Sequence, residues 1–98
     1  MKKKFACVFM GSGYLPDVHK AQFETPSGIT FIFTVRDFQE ACDLLLSLQK
    51  EGVGVVELCG AFGEENAQKL IELTNNTIAI GYVVHKPEQD SLFEKFFS

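Results

Sequence analysis

Apolar residues fall along this chain in two rhythms. Residues 5–10 and 53–58 are apolar runs of strand length, and 29–35 and 78–84 are rich in β-branched and aromatic side chains. Such near-continuous runs predict strands buried on both faces of a sheet. Residues 21–24 and 29–35 flank Thr25-Pro26-Ser27-Gly28, where proline presets the second turn position and glycine suits the fourth, so a β-hairpin is predicted. The second rhythm is helical. Phe38, Ala41, Cys42, Leu45 and Leu48 recur at three- and four-residue intervals behind a capping Asp37, and Lys50 and Gly52 suit the exit. From Gly63, Ala67, Leu70, Ile71 and Thr74 mark the inner stripe of a second helix that Asn75-Asn76 ends. After Pro87, Ser91 with Glu94 three residues on predicts a capping box for a short helix carrying Leu92, Phe93, Phe96 and Phe97. Residues 14–20 keep no period and read as a loop.

The order is strand, hairpin, helix, strand, helix, strand, then a short C-terminal helix. Strands separated by helices of this length need parallel crossovers. The predicted fold is therefore α/β, with a mainly parallel sheet of four to five strands in one domain spanning 1–98. Two full helices are few for a sheet with two apolar faces. Either each covers one face, or both share a face and a second subunit covers the other, with the aromatic tail as a contributor.

Composition adds to this picture. With 46% hydrophobic residues and ten phenylalanines in 98 residues, the chain has material for a core and an apolar excess that suits a homodimer. A net charge of −4 argues against nucleic acid, which needs clustered Lys and Arg. Lys2-Lys3-Lys4 precedes only six apolar residues before Gly11-Ser12-Gly13, too few for a secretory segment, and Cys7 after Ala6 lacks the hydrophobic stretch of a lipoprotein site. No run approaches a membrane span, and a cytoplasmic protein is expected. Cys7, Cys42 and Cys59 have no paired spacing, so neither a disulfide nor a metal site is implied. No cofactor motif is present.

Ligands of open α/β sheets bind beyond the carboxyl ends of the strands. The residues leaving the strands here are Gly11 and Ser12, Arg36, Glu57 and Cys59 with Gly60 and Gly63, and His85. Alternation places Glu57 and Cys59 on one face. A carboxylate inside an apolar run is costly unless paired or in a wet cavity, so Glu57 either pairs with Arg36 or a backbone donor, or belongs to a site. Cys59, ahead of a helix, is a candidate nucleophile, though cysteine is more often a packing residue and Glu57 beside it disfavours a thiolate. His85 is a candidate general base or a solvated loop residue. Gly60-Ala61-Phe62-Gly63 resembles a phosphate cradle only in outline, because Glu64 and Glu65 occupy the positive end of the helix.

The block Val56-Glu57-Leu58-Cys59-Gly60-Ala61-Phe62-Gly63, with Glu24-Thr25-Pro26 and a first strand entering Gly11-Ser12-Gly13, resembles a bacterial family of about this length described only as a domain of unknown function. The resemblance runs to about Val84, with the Phe-rich tail a departure. It implies one compact α/β domain in a bacterial cytoplasm and carries no activity, cofactor or catalytic residue. Three functions fit the sequence. They are a domain binding a polar small molecule at the strand ends, a small isomerase or hydrolase with Glu57 or His85 as acid/base and Cys59 as nucleophile, and an assembly protein without a ligand.

Overall fold

The computed structural model describes residues 2–98. Its elements are β1 (Lys3–Met10), β2 (Ala21–Thr25), β3 (Gly28–Val35), α1 (Phe38–Lys50), β4 (Val55–Leu58), α2 (Gly63–Leu73), β5 (Ala79–Tyr82), a 3-10 turn (Pro87–Gln89) and α3 (Asp90–Phe97). The predicted α/β order holds. The five strands form one sheet in the order β2-β3-β1-β4-β5, with only the β2–β3 hairpin antiparallel.

The local signals act as read at most junctions. Asp37 caps α1 by accepting from the Glu40 N–H at 2.9 Å. Gly52 leaves that helix with φ +81°, and Asn75 and Asn76 end α2 with φ 53° and 56°, values asparagine tolerates better than most residues. One expectation is corrected. Ser91 does not cap α3, because the helix begins at Asp90 on the preceding 3-10 turn and Gln89 supplies no side-chain cap. Gly28 closes the hairpin turn opposite Thr25, as expected, and also serves packing: it pairs with Lys3, and a Cβ there would stand 2.6 Å from the Lys3 carbonyl oxygen.

Strand order decides the layers. The β3–α1–β4 connection passes over β1, and β4–α2–β5 continues the same way. Right-handed crossovers made in one direction leave both helices on one face. Accordingly α1 and α2 touch each other, and the buried core is built from Ala6, Val8, Val35, Val56 and Leu58 of the sheet with Ala41, Leu45, Ala67 and Leu70 of the helices. Gln49 ties the two helix ends together by donating to the Thr74 carbonyl at 2.9 Å and to Thr77 Oγ1 at 2.6 Å.

Among the described residues no helix packs substantially on the opposite face. Ladder partners share a face, so Phe5, Thr30, Phe23, Val55 and Ala79 form one row there, and Cys7, Ile32, Ala21, Glu57 and Gly81 the next. β4 shows the asymmetry within four residues: Val56 and Leu58 are buried while Val55 and Glu57 are exposed. α3 packs against the 3-10 turn and presents Leu92, Phe93, Phe96 and Phe97 to solvent.

Two kinds of substitution test this arrangement. Leu45→Ala, which empties a fully buried position, is expected to lower unfolding free energy by about 2–5 kcal/mol in urea titrations. Gly28→Ala is expected to cost about 1–3 kcal/mol, since its Cβ meets fixed backbone. Gly81→Ala, whose Cβ meets only the swinging Glu57 carboxylate at 2.8 Å, is expected to stay within about 0.5 kcal/mol of the parent.

Candidate functional site

β2 starts late. Its first residue, Ala21, pairs with Ile32, so among the described residues no strand flanks the final three residues of β3 on that edge. The Val35 carbonyl accepts from the Gly11 N–H at 3.0 Å and so points toward β1. By alternation, the main-chain N–H and C=O of Thr34 point the other way, into the gap. Residues 11–20 curl round this gap as its outer wall. There the Val18 and His19 N–H groups donate to the Leu15 carbonyl at 2.9 and 2.8 Å. The Leu15 N–H returns a bond to His19 Nδ1 at 2.9 Å. Thr34 Oγ1 then anchors the wall by donating to the His19 carbonyl at 2.7 Å, and Tyr14 packs on Gly11.

The result is an open cleft of about 590 Å³ between this wall, the end of β3 and the first turns of α1. Leu15, Val18, Phe33 and Leu44 make its apolar lining, and Asp17, Lys20, Arg36, Glu40 and Asp43 its charged rim. Arg36 and Glu40 are clasped: the Arg36 backbone N–H donates to Glu40 Oε1 at 2.7 Å, and its Nε and NH2 groups donate to Oε2 at 2.9 and 2.5 Å. These bonds hold the Glu40 carboxyl below its ordinary value, and the Glu40 carboxylate raises Arg36 further. Lys20 and Asp17 make no ion pair among the described residues.

The strand-end residues do not converge here. Arg36 lines the cleft, but Gly11, Ser12, Glu57, Cys59, Gly60, Gly63 and His85 do not. Arg36 follows β3 and His85 follows β5, with β1 and β4 between them. His85 turns toward α3, with Nε2 2.7 Å from Asp90 Oδ1 and its ring stacked on Phe93 at 3.9 Å. Glu57 forms neither of the structural bonds foreseen for it: Arg36 is taken by Glu40, and no hydrogen bond or ion pair engages Glu57 among the described residues. Its carboxylate lies over Gly81 on the bare face, where solvent removes the burial cost.

Cys59 is half-buried, and its sulfur accepts from the Met10 N–H at 3.3 Å beside the core. The thiol flanking Glu57 is Cys7, its partner in the ladder. Burial first, and the Glu57 charge second, push the Cys7 thiol up from 9.0, which keeps it protonated at neutral pH. Glu57, Cys59 and His85 therefore share no hydrogen bond. Gly63 opens α2 with φ +73°, a value that favours glycine, whereas a Cβ at Gly60 would make only ordinary contact, 3.7 Å from the Val83 carbonyl oxygen. Among the described residues no group of three or more His, Cys, Asp or Glu could hold a metal ion. No helix there is long and apolar enough to cross a membrane.

Leu15, Asp17, Val18, Lys20, Asp43 and Leu44 line the cleft and are not among the candidates read from the sequence. The available signal was a ten-residue aperiodic connection with apolar residues on either side of Pro16–Asp17, longer than most connections that do no work.

The clasp gives a pH test. Because Glu40 is held below its ordinary 4.5, its contribution is present above that value and lost as pH falls through the lower folded value. Glu40→Gln is expected to melt below the parent at pH 6–7. The difference should close as pH drops below about 4, as followed by circular dichroism.

A family model described as a family of unknown function (DUF6506) matches residues 3–98. No curated protein and no solved structure matches the chain. The match takes in α3, which corrects the reading of the Phe-rich tail as a departure.

Proposed function

This chain belongs to that family of unknown function, and we propose that it binds a small amphoteric molecule, an amino acid or short peptide, in the cleft at the end of β3. One observation carries the reading: β2 starts too late to flank the end of β3, so unpaired main-chain groups of Thr34 face a cleft with an apolar lining and charges of both signs. A volume of about 590 Å³ lies within the ordinary range for small-molecule sites, roughly 300–1,000 Å³. Lys20, in no ion pair among the described residues, is the cation for a carboxylate, and Asp17 and Asp43 line the same cleft with carboxylates for an ammonium group. Arg36, already neutralised by Glu40, shapes the rim. The unpaired edge of β3 at Thr34 supplies a donor and an acceptor of the kind an extended backbone pairs with.

The position, at the carboxyl end of a strand in an α/β sheet, is where such folds bind ligands. The hydrolase or isomerase reading has less support, since its acid/base and thiol candidates lie apart and Cys7 stays protonated. In thermal denaturation with free amino acids and dipeptides as probes, the melting temperature is expected to rise with the concentration of a subset. Lys20→Gln and Asp43→Asn, both at the solvent-facing rim, are each expected to weaken that binding by about tenfold or more. A flat response to every probe would overturn the reading.

A further inference from the structure

We infer that the bare face of the sheet and α3 form one interaction surface whose partner is a second copy of this chain, each copy giving its α3 to the other's open face. Two apolar surfaces stand unpartnered in the same chain. On the sheet, Phe9, Phe23, Val55 and Val83 are exposed, with Phe5, Cys7 and Ile32 half-buried between them. On α3, Leu92, Phe93, Phe96 and Phe97 form a single stripe, and Phe96 and Phe97 are 81% and 76% exposed.

The area suits a dimer. Taking about 200 Å² for a whole phenylalanine side chain, the three on α3 leave roughly 400 Å² uncovered, and Phe9 and Phe23 roughly 200 Å² more. With Leu92, Val55 and Val83 the exposed apolar area reaches the roughly 800 Å² that a stable interface removes from each partner.

The charges also match. Glu57 is the carboxylate at the middle of the open face, and Lys95 flanks the apolar stripe of α3. Neither is ion-paired among the described residues. Two open faces brought together alone would set Glu57 against Glu57. A reciprocal exchange of α3 brings Lys95 to each of them and covers both apolar surfaces at once, as a two-fold contact does. The helix is already ordered for this. The His85–Asp90 contact and the stacking of His85 on Phe93 fix its start, and Phe93, Phe96 and Phe97 pack on one another.

Sedimentation equilibrium of the full chain is expected to show a dimer at micromolar concentration. Phe96→Asp with Phe97→Asp, at positions exposed in the single copy, is expected to weaken it about thirtyfold or more while far-UV circular dichroism stays unchanged. Glu57→Lys and Lys95→Glu should each weaken the dimer, and the two together should restore it. A monomer throughout the concentration range would overturn the inference, as would a dimer indifferent to the α3 substitutions. So would a monomer that floats with phosphatidylcholine vesicles, since the stripe would then belong to a lipid surface. A charge swap that fails to restore association would overturn the pairing of α3 with the open face.

Discussion

The handedness of two crossovers governs this molecule. A chain that steps from β3 over β1 to β4, and on to β5, must lay both intervening helices on the same face of its sheet. The core forms on that face: Leu45 and Leu70 reach full burial with Val8, Val56 and Leu58. Among the described residues the one further helix, α3, follows β5 in the chain and packs chiefly against the 3-10 turn. A doubly covered sheet would have required the connections to reverse direction, and 98 residues with this strand order do not reverse.

That constraint explains where the sequence was legible. Periodicity and capping are local, so the helices, the hairpin and the strand identities could be read from neighbours: Asp37 three residues before Glu40, Pro26 between two strand patterns, Asn75-Asn76 after a helical stripe. The alternative of two helices sharing a face was also foreseen. Strand order was not, because pairing of β1 with both β3 and β4 joins residues tens of positions apart, and no local pattern encodes it. Glu57 shows the consequence. Within an apolar run it reads as an expensive buried carboxylate, yet the cost never arises on a face without helices. Its neighbour is then set by pairing across strands, which selects Cys7 over the Cys59 that lies two positions along the chain.

The strand-end residues do not gather into one pocket, for a related reason. Residues leaving parallel strands share one end of a sheet, but an end five strands wide is not one pocket. His85 and Arg36 stand on different strands with two between them, and each finds a local partner, Asp90 for one and Glu40 for the other. The cleft depends instead on a mismatch of lengths. β2 has five residues and β3 has eight, so the hairpin leaves part of an edge unpaired. The chain between β1 and β2 then has to span the gap, and its Leu15–His19 turn becomes a wall. A sequence shows a strand and a loop there, but the difference in their lengths becomes a cavity only when the register is known.

β3 links the two surfaces. Its side chains alternate, so Thr30 and Ile32 lie on the bare face, while Phe33 and Val35 turn to the helix side and line the cleft. Thr34 lies between them, buried, with its hydroxyl holding the wall of the cleft. By the same alternation Thr34 pairs with Phe9 in the row on the bare-face side, so the bond that anchors the cleft wall is made from that side of the sheet, and one strand joins the two surfaces.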